Sequence, residues 1–272
     1  MPTALHAYAY RVTMQPTTGH DRELAGQTAV VTGAGSGIGR ATAQLLALHG
    51  AHVVAVDRRP EGLEGLVVEI LAAGGSAESV IADVTDSAAV AEIMLTAARV
   101  RGSLDILVNN AGALTAPVPI AEFDERAFDR LMNVNVKGVF LGLRHALPVM
   151  IAQGHGVVLN VGSITAVKTI AGLGPYSASK HAVTALTRTA AIEAGPHGVR
   201  VNELLPGPTL TPMVTGPAGS PNGAEDAFSA QVPLGRVSLP QEQAEAVLFL
   251  VSARSSYVNG ASLLVDGGLA WA

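Results

Sequence analysis

Short apolar runs alternate with helix-length segments along this chain from residue 27 onward. The runs are continuous in Val, Ile and Leu and do not alternate with polar residues, which is typical of strands covered on both faces. Seven strand candidates follow from this pattern, at residues 28–31, 52–56, 79–81, 104–108, 156–161, 199–205 and 262–265. Helix candidates lie between them, near residues 37–49, 61–73, 86–101, 123–153, 175–194 and 240–253.

This repetition of strand, helix and strand predicts an α/β fold. Each unit makes a right-handed crossover, and the series predicts a Rossmann-type, doubly wound parallel sheet of about seven strands with helices on both faces. Ligands of such sheets bind beyond the carboxyl ends of the strands, at the point where the strand order reverses. Candidate chemistry is therefore expected at the strand ends.

The chain divides into a tail and one domain. Residues 1–22 show neither helical nor strand periodicity and are predicted to be a flexible N-terminal tail. Residues 23–272 are predicted to form a single domain, since α/β domains of ~250 residues are common. Prolines and glycines break the rhythm between residues 206 and 240. A long loop in a compact domain favours a lid over residues 207–238; the alternative is a solvated connection with a short helix at 224–230.

Composition narrows the classes of function. Of the 272 residues 49% are hydrophobic and 14% charged, with a formal net charge of −5 and no cysteine. A thiolate metal site, a disulfide framework and a cysteine nucleophile are therefore excluded. The mild acidity argues against nucleic acid as a partner, and no run approaches the ~18 apolar residues of a membrane span. A soluble, cytoplasmic protein is expected.

Four histidines lie far apart in the sequence and lack metal-ligand spacing. They are His145, His155, His181 and His197. Packed or surface histidines explain them better than ligands do, so no metal is predicted.

A glycine-rich turn follows the first predicted strand. Its segment TGAGSGIGR places Gly33, Gly37 and Gly39 before a helix, where bare amides favour a pyrophosphate. The strict G-x-G-x-x-G spacing is absent, so a plain turn is the alternative. Asp57 ends the second strand, about where a carboxylate meets the adenosine ribose hydroxyls of a dinucleotide. The two features together favour dinucleotide binding.

Small and amide side chains end the next two strands. The third ends at Asp83 and Val84, and the fourth runs into Asn109, Asn110, Ala111 and Gly112. Such residues leave room for an adenine and its ribose and offer hydrogen bonds. Each alone is explained by turn chemistry; their joint position favours a cofactor.

Candidate catalytic residues lie in the second half of the chain. Tyr176 and Lys180 are four residues apart and share one face of the predicted helix. An adjacent ammonium favours the phenolate of a tyrosine whose pKa is otherwise ~10. Ser163 ends the fifth strand, where its hydroxyl can donate to a substrate oxygen. Asn135 lies in a long helix that Gly138 is predicted to interrupt. The interruption leaves the side-chain amide and a backbone carbonyl for a water relay. Taken alone, the Tyr176–Lys180 pair is better explained as a packed tyrosine beside a solvated lysine, and Asn135 as a polar residue in a helix.

In this order the motifs resemble the classical short-chain dehydrogenase/reductase family over residues 24–268. The matching segments are TGAGSGIG, Asp57, Asp83-Val84, NNAG, NVKG, Ser163, YSASK, PGPTLT and VDGG. The resemblance implies a catalytic tetrad: Tyr176 as acid/base, Lys180 as orienter and proton relay, Ser163 as donor to the substrate oxygen, and Asn135 as water holder.

The resemblance also implies the cofactor contacts. In particular, Ile38 helps to hold the pyrophosphate turn, residues 110–112 line the adenosine side, and Thr211 contacts the nicotinamide carboxamide. The full set is Gly33, Ser36, Gly37, Ile38, Gly39, Asp57, Asp83, Val84, Asn110, Ala111, Gly112, Tyr176, Lys180, Pro206, Gly207, Thr209 and Thr211. Family members are usually tetramers, so a homo-oligomer is expected, with a tetramer favoured over a dimer.

The sixth predicted strand departs from the family pattern. Where relatives resemble V-N-x-(Ile or Val)-(small)-P-G, this chain has Val201-Asn202-Glu203-Leu204-Leu205-Pro206-Gly207, with Glu203 at the open third position. A carboxylate is unusual in a strand with both faces covered. A sheet edge, a subunit contact and a paired side chain are three possible explanations.

The predicted function is an oxidoreductase that transfers a hydride between NAD and a secondary alcohol or ketone. NAD is favoured over NADP because a 2′-phosphate near Asp57 meets like charge, and Ser36 adds no basic residue to the turn. One alternative is an NADPH-dependent 3-oxoacyl-type ketoreductase, supported by Arg40, Arg58 and Arg59. The other is a non-catalytic nucleotide-sensing protein, against which the intact tetrad argues.

The substrate pocket is predicted to be mainly apolar. Residues of the 207–238 loop are expected to close over the substrate against residues that follow the fourth and fifth strands. The predicted lining consists of Leu114, Ile164, Val167, Met213, Val214, Phe228 and Leu234.

Overall fold

The structure, a computed structural model, describes residues 22–215 and 224–272. Residues 1–21 of the predicted tail and 216–223 of the predicted loop lie outside the described residues. Within the described residues, the chain forms a parallel sheet in the order β3-β2-β1-β4-β5-β6-β7. The strands are β1 Thr28–Thr32, β2 His52–Asp57, β3 Ser76–Ile81, β4 Ile106–Asn109, β5 Gly156–Val161, β6 Val199–Pro206 and β7 Ser262–Val265.

This sheet confirms the predicted fold class and all seven predicted strands. Most ends differ from the prediction by two residues or fewer. The exception is β3, which begins at Ser76 and not at residue 79. Its residues are half-buried or exposed because β3 is an edge strand, so its first half lacks the apolar signal of a covered strand.

Helices cover both faces of the sheet. They are α1 Gly37–Leu48, α2 Leu63–Ala72, α3 Ser87–Arg101, α4 Glu125–Met132, α5 Gly138–Gln153, α6 Gly174–Ala194, α7 Pro212–Thr215, α8 Ala224–Ser229 and α9 Pro240–Val251. The six predicted helical segments are all present. The short α8 agrees with the helix predicted at 224–230.

Two hydrophobic cores form, one on each face of the sheet. Val30 and Val31 belong to opposite cores because successive strand residues point to opposite faces. The core containing Val31 includes side chains of α1, α2 and α9, and the core containing Val30 includes side chains of α3, α5 and α6. Burial on both faces explains why the strands are continuous in Val, Ile and Leu.

The helical run from Glu125 to Gln153 is continuous, which corrects the predicted interruption at Gly138. A π-helical turn, Asn133–Lys137, joins α4 to α5. Such turns accommodate an extra residue without ending a helix and are frequent at functional sites. Among the described residues this run alone is long and apolar enough to meet a membrane-span criterion. Core helices meet the same criterion, and Leu141 and Met150 of this run are buried in the protein core.

Candidate active site

The turn between β1 and α1 has no room for side chains at its glycines. Gly33 has a φ of +66° and Gly37 a φ of +55°, which favour glycine. A Cβ on Gly39 would lie 2.3 Å from the carbonyl oxygen of Gly33. Ser36 precedes α1 in an extended conformation without a side-chain cap, and Ile38 is half-buried. The first amides of α1 are thus presented bare, as an anion requires.

Thr32, at the end of β1, ties this turn to the end of β4. Its Oγ1 accepts hydrogen bonds from the backbone amides of Asn110 at 3.0 Å and Ala111 at 3.1 Å. The Asn110 side chain donates to the carbonyl oxygens of Thr32 and Gly33. Because β1 and β4 flank the point where strand order reverses, these contacts shape the cofactor crevice. Sequence reasoning missed Thr32, although its place directly before the glycine turn was visible.

The Asp57 carboxylate lies directly beside the glycine turn. Its two oxygens accept backbone hydrogen bonds from Gly35 and Arg59, each at 3.1 Å. A Cβ on Gly35 would lie 2.9 Å from Asp57 Oδ2. A carboxylate has about four acceptor positions, so acceptor capacity for ribose hydroxyls remains.

Arg40 is engaged elsewhere in the structure. Its guanidinium donates to the Gly62 carbonyl oxygen at 2.7 Å and pairs with Glu69 at 2.7 Å. Arg58 and Arg59 are exposed. Of the three arginines that support an NADPH alternative, one is thus already paired.

The end of β3 presents Asp83 and Val84. A backbone hydrogen bond from Thr85 holds the pKa of Asp83 below its usual value, and the charges of Arg58 and Lys137 act in the same direction against the effect of burial. Val84 packs against the start of α5, where a Cβ on Gly138 would lie 2.9 Å from its Cγ2.

The segment after β6 reaches the glycine turn. The hydroxyl of Thr209 lies 2.9 Å from that of Ser238 and closes the base of the loop. Thr211 is buried, and its methyl carbon would lie 3.0 Å from a Cβ on Gly37. Pro206 ends β6, and the amide of the following Gly207 donates to the Val265 carbonyl oxygen of β7 at 3.0 Å. Of the predicted residues of this segment, Thr211 thus reaches the glycine turn, and the cofactor contacts of Pro206, Gly207 and Thr209 stay predictions.

Ser163, Tyr176 and Lys180 converge at the carboxyl end of β5. The Ser163 hydroxyl lies beside the Tyr176 phenol and lowers its pKa, and Ser163 Oγ accepts a hydrogen bond from the Thr165 amide at 3.1 Å. Proline at the start of α6 suits a helix N-terminus and places Tyr176 in the first turn. Lys180 Nζ lies 5.7 Å from the Tyr176 ring centre and donates to the Val161 carbonyl oxygen at 2.9 Å. Val161 is a contact that sequence reasoning missed, since a backbone acceptor leaves no residue-type signal.

Burial is the main influence on the pKa of Tyr176 and on that of Lys180. It raises the pKa of Tyr176, and the Ser163 hydroxyl opposes this effect. It lowers the pKa of Lys180 to about 8, against the raising effect of Glu203. The expectation that the lysine by itself favours the phenolate is therefore not met in the chain alone, because desolvation of the phenol outweighs it. Further positive charge is needed for Tyr176 to act as a base.

The Asn135 side chain is fully buried and used inside the protein. Its Oδ1 accepts from the Ala113 amide at 2.7 Å, and its Nδ2 donates to the Ala113 carbonyl oxygen and to Ser179 Oγ. The side-chain amide thus anchors the segment after β4 to α6, and the backbone carbonyl of the expected water relay stays a prediction. A Cβ on Gly112 would lie 3.5 Å from Asn135 Oδ1 and 3.7 Å from Lys180 Nζ. Gly112 therefore lies where the predicted cofactor-binding residues meet the predicted catalytic residues.

The residues present fit a nicotinamide dinucleotide. Bare amides, a carboxylate and small side chains line the β1, β2 and β4 ends, as phosphate, ribose and adenine require. A Cβ on Gly33, Gly37 or Gly39 would lie 2.8, 3.0 or 2.3 Å from the nearest protein atom, so glycine allows this tight turn to form. The same crevice continues to Lys180 through Gly112.

An apolar wall follows Ser163. Ile164 packs with Val232 and Leu269 in a small buried cluster, and Lys168 Nζ donates to the Leu269 carbonyl oxygen at 2.8 Å. Sequence reasoning missed Val232 and Leu269, because neither is adjacent to Ile164 in the chain.

The predicted pocket residues differ in exposure. Large exposed apolar side chains include Leu114, Val167, Met213 and Leu234, whereas Val214 and Phe228 are half-buried. A separate cavity of about 530 Å³ lies beside the start of α6 and contains none of the predicted pocket residues. It is lined by Ile120, Phe123, Glu125, Phe128, Asp129, Gly174, Pro175 and Ala178.

Comparison with known proteins identifies the family. A family profile described as enoyl-(acyl carrier protein) reductase matches residues 33–270. A cis-4-hydroxycyclohexanecarboxylate dehydrogenase from Sinomonas cyclohexanicum is 45% identical over 245 residues, which cover 90% of this chain and 97% of that protein. The chain belongs to the short-chain dehydrogenase/reductase family. It is therefore an oxidoreductase of the kind that acts on alcohol and ketone groups with a nicotinamide cofactor.

Solved structures agree with this assignment. The crystal structure of levodione reductase superposes with a TM-score of 0.88 at 36% identity, covering 92% of this chain and 99% of that chain. A structure described as an NAD(P)-dependent gluconate 5-dehydrogenase from Beutenbergia cavernae, with NADP bound at low occupancy, gives a TM-score of 0.85 at 38% identity and covers 92% and 98%. The family is shown by these likenesses, whereas the choice between NAD and NADP is not.

Proposed function

We propose that this protein interconverts a secondary alcohol and its ketone on a six-membered carbocycle, with NAD as cofactor and Tyr176 as the acid/base. The convergence of Tyr176, Ser163 and Lys180 carries this proposal. All three side chains are buried, and the Ser163 hydroxyl lies close enough to the Tyr176 phenol to lower its pKa. A nucleotide sensor has no use for such a pair, which argues for turnover.

The geometry assigns a task to each catalytic residue. The bound nicotinamide supplies the hydride acceptor or donor. Ser163 Oγ and Tyr176 Oη together hold the substrate oxygen, and Oη takes its proton during oxidation or returns it during reduction. Because burial raises the pKa of Tyr176, proton removal depends on positive charge from Lys180 and from the oxidised cofactor. Asn135 fixes Ala113 and α6, so that Lys180 and Gly112 keep their spacing.

Asp57 supports NAD as the cofactor. Its carboxylate is held by the Gly35 and Arg59 amides beside the turn, where the ribose hydroxyls are expected. A 2′-phosphate within ~4 Å meets a repulsion of order several kcal/mol at an effective dielectric of 20. Arg40 cannot offset this effect while it pairs with Glu69.

The cofactor prediction is that kcat/KM with NAD exceeds that with NADP by about tenfold or more, since 1.4 kcal/mol corresponds to a factor of ten. Asp57→Asn is expected to raise NADP efficiency and lower NAD efficiency. Asp83→Asn is the matched control, because an adenine contact affects both cofactors equally. A wild-type enzyme that prefers NADP would show that Arg58 and Arg59 dominate.

The substrate proposal depends on the apolar wall. Ile164, next to Ser163, packs with Val232 and Leu269. Leu114, Val167, Met213 and Leu234 supply further exposed apolar surface. A mainly apolar lining favours a ring over a polyhydroxylated chain. The 45% identical relative is named for a hydroxycyclohexane substrate, which supports the same class.

A substrate panel tests this class. Turnover of cyclohexanols and 4-hydroxycyclohexanecarboxylate is expected to exceed that of gluconate, other polyols and sugars by about tenfold or more, because unpaired hydroxyls in an apolar pocket are costly. Reduced-cofactor absorbance measures every reaction in both directions. High turnover of polyols alone contradicts the apolar pocket, and high turnover of 3-oxoacyl thioesters with NADPH alone establishes the ketoreductase alternative.

A homo-oligomer, with a tetramer favoured over a dimer, and a cytoplasmic location are part of the proposal. The oligomer follows from the family resemblance, and the location from a composition without cysteine, which suits a reducing compartment. Light scattering of the purified protein tests the first.

A further inference from the structure

Glu203 is a fully buried carboxylate on an interior strand of the sheet. It lies on β6, between β5 and β7, with an exposed fraction of 0%. A sheet edge is thereby excluded, and the residue is paired with protein groups. The proposed mechanism gives it no role, although a buried carboxylate is costly unless it is compensated.

Hydroxyl groups from two elements hold this carboxylate. Thr184 Oγ1 lies 2.9 Å from Oε2 and 3.1 Å from Oε1, and Ser262 Oγ donates to Oε2 at 2.8 Å. Thr184 is one helical turn after Lys180 on α6, and its Oγ1 lies 3.3 Å from the Lys180 carbonyl oxygen. The carboxylate therefore contacts the helical turn that carries the catalytic lysine.

The carboxylate also lies against the backbone that precedes Ser163. A Cβ on Gly162 would lie 2.3 Å from Glu203 Oε1, so glycine is required there for the carboxylate to fit. The neighbouring Val161 carbonyl oxygen accepts the hydrogen bond from Lys180 Nζ. Glu203 is thus packed between the strand end that bears Ser163 and the helix that bears Lys180.

The charged groups that act on this carboxyl are Lys180 and Arg188, both on α6. Burial raises the pKa of Glu203, and the two hydroxyls and the two positive charges oppose that effect. Glu203 is the charged group that raises the pKa of Lys180 against its burial, and Tyr176 is the titratable neighbour of Lys180 on the same helix. Each of the two buried groups therefore stabilises the charged form of the other.

We propose that Glu203 is a positioning residue for Lys180. Its carboxylate is held by Thr184 and Ser262 against Gly162. It fixes the turn of α6 that carries Lys180 and keeps the lysine side chain protonated. The inference extends the proposed function, since it assumes that Lys180 serves catalysis. It explains why a carboxylate replaces the residue expected at this position of the strand.

Lysine titration by NMR tests the electrostatic link without turnover. The chain has three lysines, Lys137, Lys168 and Lys180, so lysine labelled with ¹³C at Cε gives three signals, and Lys180→Met assigns the third. In Glu203→Gln the Lys180 midpoint is expected to move to lower pH by about half a pH unit or more, because an opposite charge is lost. Glu203→Asp keeps the charge and is expected to stay near wild type. Lys137 and Lys168 serve as internal controls.

Activity provides the second measurement. The alkaline limb of the kcat/KM profile is expected to move to lower pH in Glu203→Gln and to be restored in Glu203→Asp. If Glu203→Gln does not fold, Thr184→Val is measured in its place, because it retains Glu203 and removes one hydroxyl donor. The Lys180 midpoint is then expected to move in the same direction by a smaller amount. An unchanged Lys180 midpoint in the folded variant overturns the proposal. Full turnover of a Lys180→Ala enzyme instead refutes the proposed function. The effect of Glu203 on the Lys180 midpoint, measured by NMR, then remains valid without a catalytic role.

Discussion

Replacing Tyr176 with Phe is expected to lower kcat by about 10²- to 10⁴-fold, the usual contribution of a general acid/base. The substitution keeps the buried ring and removes only the oxygen that interacts with the Ser163 hydroxyl. NAD affinity and melting temperature are therefore expected to change little. Steady-state kinetics, NAD titration and thermal melting of the same preparation measure the three quantities.

Tyr257→Phe is the matched control for this experiment. Tyr257 is fully exposed, so the same loss of a hydroxyl there is expected to leave turnover unchanged. A Tyr176→Phe enzyme that retains most of its turnover, with an unaltered pH profile, removes Tyr176 from the mechanism. The nucleotide-sensing alternative then becomes the better explanation of the fold.

Lys180→Ala is expected to impair both turnover and cofactor binding. The ammonium supplies the positive charge that Tyr176 needs, so kcat is expected to fall by about 10²-fold or more. Lys180 also belongs to the predicted set of cofactor contacts. A hydrogen bond from a charged group is worth about 1.5–3 kcal/mol, so its loss is expected to raise the Kd for NAD about tenfold or more. Circular dichroism confirms that the variant is folded.

The comparison with Tyr176→Phe separates the two roles. Both variants are expected to lose turnover, and only Lys180→Ala is expected to lose NAD affinity. Equal NAD affinity in wild type and Lys180→Ala would show that the lysine acts on the phenol alone. Wild-type activity is expected to fall as pH rises through about 8, the pKa to which burial lowers Lys180.

Local sequence patterns were sufficient to predict the sheet and much of the candidate site. Strands covered on both faces are continuous in apolar residues, and this signal located all seven. Tyr176 and Lys180 share a helix face because they are four residues apart, and the Gly33 turn lies between a strand and a helix as its glycines indicated. These features depend on neighbours in the chain, which the sequence displays directly.

Other features depend on residues that are distant in the chain. Arg40 pairs with Glu69 and Lys180 donates to Val161, contacts that exist only once helices pack beside particular strands. Ile164 meets Val232 and Leu269 for the same reason. Such pairings follow from the strand order and the packing of the elements, which short sequence windows do not specify.

Glu203 shows most clearly which features the sequence determines and which only the tertiary structure decides. The sequence determined that a carboxylate occupies a strand position where an apolar or small residue is expected, and it left an edge, a subunit contact and a paired side chain as equal explanations. The tertiary structure decided among them by placing β6 between β5 and β7 and by bringing Thr184 and Ser262 to the carboxylate. The sequence alone determined the elements and their local chemistry, and the tertiary structure determined which buried groups compensate one another, because electrostatic and hydrogen-bond partners are set by distance in space.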